Sequence, residues 1–544
     1  MWWAALSTLS KALVLIAIAS APCSASGQST EFSKSGLNGD PPTTAEVLKQ
    51  LDLLVQQNQQ LEKQNRELMD VISAMRHQLA EQSHASQVVA REDTIANETR
   101  SDVSRPSPDQ LSSTTAPVVG TIKPTSAPQP VEGRRTTDAD AGQDTSKTMW
   151  GRYTPNLGYK LANTEYGDVS LSIYSYARYL NQRNLEPTYT NAFGVTTNLQ
   201  QRQDFQLNKV QIKFLGWVMS PKFRYFLYAW TSNASQGLGA QVVLAGNLSY
   251  TFADYFTLTA GIMSLPGTRS VEGNFPFWLG VDSRLIADEF FRPSYTNGAR
   301  ASGALGKKLS YQAMIGVNNS ILGVSAAQLP NYFQTTANAL VWMPTGEYGQ
   351  GWGDFENHQQ LATRLGGHFS YSKENAQSQP NTQEFENTQL RLSDGSIVFT
   401  PNLFGPGISV SDAVYKMVSI DFGLKYHGYA LEGEYYPLHR ISNFQGTGTS
   451  VLRPNTDYGY QLQFSAMAIP RTLQGYLGGS EVIGRYGRPW DFRAGINYFP
   501  FKNKVVRWNS EFLYTYRSPV GYTSVPFALG GTGPIFHTTL EMAF

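Results

Sequence analysis

Apolar and polar residues alternate along the chain from about Trp150 to Phe544. In DVSLSIYSYARYL, for example, Val169, Leu171 and Ile173 lie on one side of an extended strand and serine residues lie on the other. The same two-residue period recurs in QVVLAGNLSYTF, KMVSIDFGLKYH, DFRAGINYF and FHTTLEMAF. The polar sides carry ionised groups of both signs, and the apolar sides are rich in aromatic residues. This pattern predicts a transmembrane β-barrel with an aqueous interior.

The connections between the alternating stretches are short and long in turn. MSPKF and TFADYF are tight, whereas the stretch from Leu265 to Tyr295 is long. Soluble β-sandwiches and propellers also alternate, but short turns at one end and long loops at the other are typical of membrane barrels. The pattern predicts about sixteen antiparallel strands, with a further pair conceivable near Ile397. They begin near Val169, Val210, Phe223, Val242, Phe256, Asn297, Leu309, Asn338, Gln360, Val414, Tyr429, Asp457, Leu473, Asp491, Val505 and Phe536.

The first residues predict export from the cytoplasm. Lys11 precedes an apolar run and then small residues, so residues 1–26 are expected to be a signal peptide. The run is too short to span a bilayer as a helix. Cys23 is the one cysteine of the chain and would leave with this peptide. Lipidation of Cys23 is the alternative, although Pro22 interrupts the small-residue pattern of a lipidation site.

Residues 46–82 predict an α-helical coiled coil. Two heptad series run through this segment, and Asn58 and Asn65 within them would fix the register. A lone amphipathic helix on a domain surface is the alternative. The flanking segments, residues 27–45 and 83–148, are expected to be flexible, because the second is rich in Ser, Thr and Pro and poor in apolar residues. The predicted fold is therefore an all-β transmembrane barrel at residues 149–544, preceded by a coiled coil and a disordered linker.

Composition and motifs exclude several functions. The net charge of +1 gives no reason to expect a nucleic-acid partner. His368, His427 and His537 are expected to face the lumen, but no nucleophile accompanies them at a recognisable spacing. No GxSxG or HExxH motif occurs. We therefore expect no enzyme activity, no metal and no cofactor; a catalytic group at the barrel rim is the alternative.

Three stretches resemble one family: NKVQIKFLGWVMSPKFRYFLYAWTSN, LSYTFADYFTLTAGIMSLPGTRS and WDFRAGINYFPFKNKVVRWNSEFLYTY. Together they are similar to the phosphate-selective porin O and P family of Gram-negative outer membranes, and the similarity covers most of the chain from Val169 to Phe544. The resemblance implies a homotrimeric porin in outer-membrane lipid, through which small hydrophilic solutes diffuse passively, with phosphate and other anions as candidate solutes. Phe544 resembles the terminal signal that the barrel assembly machinery reads.

The resemblance also implies a pore constriction, because the third outer loop of such trimeric porins folds into the lumen. Here that loop runs from Leu265 to about Tyr295. Its charged residues would either contact permeating solutes or pin the loop to the wall by ion pairs. The predicted constriction residues are Arg269, Glu272, Asp282, Arg284, Asp288, Glu289 and Arg292.

The alternation places further charged residues on the lumen face. Acidic and basic groups are nearly balanced there, which predicts weak ion selectivity. The basic residues expected to face the lumen are Lys209, Lys213, Arg364, Lys425, Arg493 and Arg507, and the opposing acidic residues are Asp421, Glu432, Glu434, Asp491 and Glu511.

A trimeric barrel would hold three amino-terminal segments together, which predicts a three-stranded coiled coil in the periplasm. The alternative function is structural: an anchor that links the outer membrane to the cell wall through this stalk.

Overall fold

The computed structural model describes residues 152–154, 158–231, 242–272, 275–321, 324, 328–330, 332–349, 351–379, 390–521 and 525–544. The predicted signal peptide, the segment 27–45, the coiled coil and the whole linker, residues 83–148, lie outside the described residues. Among the residues described, no helix is both long and apolar enough to cross a membrane.

Most of the described chain is β-strand. In chain order the strands are β1 (Arg152–Thr154), β2 (Gly158–Thr164), β3 (Gly167–Asn181), β4 (Thr188–Thr190), β5 (Thr196–Asn198), β6 (Gln203–Val218), β7 (Ser220–Thr231), β8 (Val242–Ala253), β9 (Phe256–Ser264), β10 (Tyr295–Ala304), β11 (Leu309–Gly316), β12 (Thr335–Trp342), β13 (Ala362–Asn375), β14 (Ser409–Tyr426), β15 (Tyr429–Thr447), β16 (Asn455–Ile469), β17 (Leu473–Ile483), β18 (Trp490–Tyr498), β19 (Val506–Tyr516) and β20 (Gly533–Ala543). Helical segments occur at Arg269–Val271 and Thr449–Val451, both 3₁₀ turns, and at Ile286–Phe291, which is helix α1.

Strand pairing closes the sheet into a barrel. Strands β3 and β6 to β20 form a closed barrel of 16 antiparallel strands, and β20 returns to pair with β3. Each predicted strand coincides with one of these strands, so the strand prediction is confirmed. Near Ile397 the described residues form only an isolated bridge to Arg391 and add no strand to the barrel. Strands β4 and β5 form a separate hairpin in the connection from β3 to β6.

One edge of β3 is shared by two strands. Residues 174–181 of β3 pair with β20, and residues 167–171 pair with β2. Phe544 exchanges backbone hydrogen bonds of 2.8 and 2.9 Å with Ile173. Its ring centroid lies 5.3 Å from that of Tyr159 in β2. The end of β20 and strand β2 therefore follow one another along the same edge.

Outward-facing side chains form an apolar band around the barrel. Phe422, Leu462 and Phe492 are 40%, 48% and 44% exposed, whereas the adjacent inward-facing Asp421 and Gln461 are buried. An apolar outer face with a polar inner face is the arrangement of a barrel that spans a membrane.

Short and long connections lie at opposite ends of the barrel, which we call the turn end and the loop end. At the turn end, Met219 alone separates β6 from β7, and a two-residue turn joins β14 to β15. His427 lies exposed in that second turn, so the prediction that it faces the lumen is wrong, because β14 ends one residue earlier.

Two connections enter the barrel. The inner loop, residues 265–294 between β9 and β10, comes from the loop end and contains α1. The turn-side loop, residues 343–361 between β12 and β13, comes from the turn end and is much longer than the turns beside it. These two loops determine what remains of the interior.

Candidate functional site

The inner loop packs inside the barrel with its charged side chains covered. Arg269, Asp282, Arg284, Asp288, Glu289 and Arg292 are buried, and Glu272 is half-buried. The structure thus brings all the predicted constriction residues into one loop, but places them against the wall and against one another.

Ion pairs join the inner loop to the wall. Arg269 Nη2 lies 2.5 Å from Glu432 Oε1 in β15. Asp282 Oδ1 lies 2.5 Å from Lys209 Nζ in β6. The distances are those of charge-assisted hydrogen bonds between groups removed from water. The loop is therefore attached to two different sides of the barrel.

A third attachment passes through Arg364 of β13. Its Nη2 lies 2.5 Å from Glu272 Oε2 in the inner loop, and its Nε lies 2.7 Å from Asp421 Oδ1 in β14. His368 Nε2 lies 3.0 Å from the other oxygen of the Asp421 carboxylate. The Asp421 carboxylate is fully buried. It is a second negative partner for Arg364, beside Glu272, and it also contacts His368.

Other charges are satisfied within the inner loop. Arg284 Nη1 and Arg292 Nη2 lie 2.7 and 2.6 Å from the two oxygens of Glu289. The hydroxyl of Ser270 donates a hydrogen bond of 2.9 Å to Asp288. Burial raises the pKa of Asp288, against the opposing effect of Arg284. These contacts make the loop a compact charged unit with little net charge to present to a solute.

Two further lumen-facing arginines also hold the inner loop. Arg493 in β18 donates a 3.0 Å hydrogen bond to the backbone oxygen of Ser283. Arg507 in β19 donates to Glu541 at 2.6 and 2.9 Å and to the backbone oxygen of Trp278 at 2.6 Å. The predicted lumen residues on this side therefore bind the loop, as in the ion-pair interpretation of the sequence.

At the loop end, an apolar cluster fills the same half of the interior. It combines inward-facing residues of the wall with α1 and with residues of the loops that follow β13 and β19. This differs from the expected water-filled interior, because the inward-facing positions near the loop end are apolar and α1 supplies an apolar partner. Cluster members include Leu180, Leu513, Ile535, Ile286, Phe290, Phe291, Leu392, Val398, Val520 and Phe527.

The turn-side loop covers the interior from below the inner loop. Trp352 and Asp354 are buried, and the N–H of Trp352 donates a 2.9 Å hydrogen bond to the backbone oxygen of Phe277 in the inner loop. Lys425 of β14 donates a 3.1 Å hydrogen bond to the backbone oxygen of Gly351. The two loops thus touch one another inside the barrel.

Asp354 anchors the turn-side loop to the turn between β14 and β15. It accepts a hydrogen bond of 2.7 Å from the N–H of Gly428, and His358 Nδ1 lies 2.5 Å from its Oδ1. Burial would raise the pKa of Asp354, but these hydrogen bonds outweigh it and the pKa is lowered. The carboxylate is therefore held in its charged form.

A small cavity lies beside the contact between the two loops. Its volume is about 20 Å³, and Phe277, Trp278, Trp352, Phe355 and Lys504 are among its lining residues. A space of this size holds about one water molecule.

The opposite wall, made by β7 to β12, differs in charge. These six strands contain no aspartate or glutamate. Their inward-facing side includes Arg224 and Arg300, and the adjacent β6 contributes Lys213, whose Nζ lies 5.7 Å from the ring centroid of Phe275. Arg224 and Lys213 are half-buried, whereas Arg300 is buried. This wall is therefore basic and lacks carboxylates.

Polar groups of this wall are not all used by the protein. Within the part of the chain that the structure describes, Gln211 Oε1, Asn247 Nδ2 and Thr259 Oγ1 are buried and have no hydrogen-bond partner. Such groups in native proteins are usually satisfied by water or by a ligand. Atoms of this kind also occur in the other half of the interior, for example Gln461 Oε1, Ser465 Oγ and Asn509 Oδ1, so they do not by themselves distinguish the two halves.

The described residues contain no group of three or more His, Cys, Asp or Glu side chains that could hold a metal ion.

Comparisons with solved structures find other barrels. OmpT of Vibrio cholerae gives a TM-score of 0.43 at 9% identity over 70% of this chain and 99% of that chain. The anion-selective porin from Comamonas acidovorans gives 0.42 at 10% identity over 70% and 100%. The outer-membrane channel DcaP of Acinetobacter baumannii gives 0.41 at 9% identity over 70% and 99%. No protein-family profile matches the chain, and no curated protein matches it. The fold assignment rests on the strand pairing of this chain itself.

The sequence reasoning did not identify the turn-side loop as part of the interior. A signal was present in YGQGWGDFEN, where three glycines lie beside Tyr348 and Trp352. Gly349, Gly351 and Gly353 have φ near +78°, a conformation that other residues rarely adopt. Three such glycines within five residues indicate a backbone that is tightly coiled at a specific place rather than a loose connection.

Proposed function

We propose that this protein is an outer-membrane porin in which small hydrophilic solutes diffuse along the wall formed by β6 to β12. The observation that carries the proposal is the division of the interior. One half is filled by paired charges, loops and an apolar cluster, and the other is bounded by strands β7 to β12, which carry basic residues and no carboxylates. The barrel, its apolar outer band and this wall together support passive diffusion of solutes.

The wall composition favours small anions. Acidic and basic side chains in the filled half neutralise one another in ion pairs. The near balance of acidic and basic residues counted from the sequence therefore does not give the net charge along the proposed solute path. Along β7 to β12 the field comes from basic residues without carboxylates, and a low-dielectric surrounding strengthens it. Phosphate, which the family resemblance implies, is one anion of suitable size. Assembly as a homotrimer, a periplasmic stalk from the heptad segment and a role of Phe544 in assembly are parts of the same proposal.

The first expected result is stepwise conductance. Purified protein reconstituted into planar bilayers should give discrete current steps that scale with salt concentration, because ions would cross a fixed water-filled path. Heat-modifiable migration in gels serves as the control for folding. Folded protein that produces no steps in any salt would contradict the porin proposal.

The second expected result concerns selectivity. Reversal potentials across a salt gradient should show preference for chloride over potassium, and the double change Arg224→Gln with Arg300→Gln should move the permeability ratio towards one. The reason is the loss of positive charge from strands β7 to β12, which contain no aspartate or glutamate. Arg440→Gln is the matched control, since Arg440 is exposed on β15. An unchanged ratio in the double variant would place the ion path elsewhere.

A structural anchor is the second candidate function. The apolar cluster and the two inward loops favour it, because a barrel with half its interior filled resembles a membrane plug more than a wide pore. In this case the predicted coiled coil would link the outer membrane to the cell wall. Absence of conductance, together with retention of the full-length protein on purified cell wall, would support the anchor over the porin.

A further inference from the structure

Glu432, in β15, makes contact with both loops that enter the barrel. Its Oε1 lies 2.5 Å from Arg269 Nη2 of the inner loop and accepts a 2.7 Å hydrogen bond from the hydroxyl of Tyr348 in the turn-side loop. Its Oε2 accepts a 2.6 Å hydrogen bond from the N–H of Gly353. The side chain is buried. One carboxylate therefore joins the wall to loops from opposite ends.

The two loops also stack on each other beside this carboxylate. Arg269 Cζ lies 4.0 Å from the ring centroid of Trp352 and 5.4 Å from that of Tyr348. Arginine over an aromatic ring is favourable, and more so when both are removed from water. The ion pair with Glu432 thus positions the Arg269 guanidinium, and the guanidinium in turn packs against the ring of Trp352 and holds it in place.

The turn-side loop covers wall residues that would otherwise line the lumen. A side-chain carbon built on Gly353 would lie 3.1 Å from the hydroxyl of Ser465 and 2.4 Å from Gln474 Nε2. Ser465 is an inward-facing residue of β16 and is fully buried. The solvent accessibility of Ser465 therefore shows whether the turn-side loop is packed against β16.

The neighbouring carboxylate, Glu434, has a different set of contacts. It accepts hydrogen bonds from the N–H of Arg269, the hydroxyl of Ser419 and the amide of Gln461. Among the described residues, Glu434 makes no hydrogen bond or ion pair with the turn-side loop. Two buried glutamates on the same face of one strand therefore differ in whether they hold the second loop.

From this geometry we propose that Glu432 determines the aperture of the pore by clamping the inner loop and the turn-side loop together. With the clamp closed, solutes are confined to the path along β6 to β12. When the clamp is released, the turn-side loop moves away from the wall, and the interior near β15 to β17 becomes accessible to solutes. The inference deepens the proposed porin function and rests on it for its effect on solutes, but the clamp itself is a separate claim.

The test combines Glu432→Ala with a thiol reporter. Ser465→Cys is introduced into the full chain with Cys23→Ser, and labelling by a charged methanethiosulfonate reagent is followed in liposomes. We expect slow labelling in the parent and an increase of about tenfold or more with Glu432→Ala, which corresponds to about 1.4 kcal/mol of lost closing free energy. In planar bilayers the same variant should show larger current steps, and liposome swelling should admit larger sugars.

Controls separate release of the clamp from general loosening. Glu434→Gln should leave Ser465→Cys protected, and Ser480→Cys, which lies under α1 through its hydrogen bond to the N–H of Ala287, should stay protected in the Glu432→Ala background. Tyr348→Phe removes one of the three contacts of the Glu432 carboxylate. It is the alternative test variant if Glu432→Ala does not fold. It should raise labelling of Ser465→Cys by a smaller factor.

The outcomes distinguish the two proposals. Unchanged labelling and unchanged current steps in folded Glu432→Ala and Tyr348→Phe would overturn the clamp. Increased labelling of Ser465→Cys without any current in parent or variant would support the clamp and reject the porin function. Equal increases with Glu434→Gln and Glu432→Ala would also overturn the specific role of Glu432.

Discussion

Replacing Asp421 by asparagine is expected to destabilise the barrel strongly. The fully buried Asp421 carboxylate contacts both Arg364 and His368. Asparagine has nearly the same shape but no charge, so the guanidinium of Arg364 would keep only Glu272 as its ionic partner. Removing one charge from a buried pair lowers the free energy of unfolding by about 3–5 kcal/mol. Urea titration of the protein in lipid vesicles, followed by tryptophan fluorescence, measures the change.

A second ion pair provides the control for Asp421. Arg488 Nη2 lies 2.7 Å from Glu481 Oε1, but the Arg488 side chain is 64% exposed. Water screens such a pair, so Glu481→Gln should change stability by about 0–1 kcal/mol. If Asp421→Asn and Glu481→Gln caused losses of the same size, the interior would be wetter than its packing indicates, and the argument from buried pairs would fail.

An arginine in place of Leu462 should also have a large effect. Leu462 lies midway along β16 on the outer face, and its two cross-strand neighbours are Gly433 and Gly479. The new side chain would therefore meet little steric resistance and would face lipid. Arginine at the midplane of a membrane barrel costs about 2–4 kcal/mol, and near the interface about 0–1 kcal/mol. The same vesicle titration, with gel mobility as a readout of folding, tests the expectation.

Leu361→Arg is the matched control for Leu462→Arg. The two leucines are similarly exposed, at 49% and 48%, but Leu361 lies at the turn end, just before β13 begins. A difference of about 2 kcal/mol between them would reflect depth in the bilayer. Equal effects of the two arginines would mean that β16 does not face lipid at Leu462.

The barrel was largely predictable from the sequence because its rules are local. A strand with one face in lipid and the other inward repeats every two residues, and this holds for β3, β14 and β20 without knowledge of their partners. The alternation of short turns and long loops then indicates that consecutive strands are antiparallel neighbours. His427 shows the limit of the rule: a residue one position beyond a strand leaves the alternation, and the sequence does not mark the boundary to that accuracy.

The filling of the interior was not predictable in the same way. Arg269 and Glu432 are 163 residues apart in the chain. Their pairing depends on how a loop crosses the lumen, and no period in the sequence encodes that path. The count of charges therefore predicted weak selectivity, since it could not separate charges used in ion pairs from those on a solute-facing wall. Which residues face the lumen was deduced from the alternation, but what they bind there was not.

The shared edge of β3 bears on the order in which the barrel forms. The last strand must meet a strand that was made hundreds of residues earlier, so this seam has the longest sequence separation in the sheet and forms late. Until then β3 presents an open edge, and open edges invite pairing with other chains. Strand β2 is a near neighbour of β3 in sequence and can cover residues 167–171 at once. Pairing with β2 therefore leaves a shorter unpaired edge on β3 before β20 binds. The contact between the Tyr159 and Phe544 rings then fixes the end of β20 next to β2.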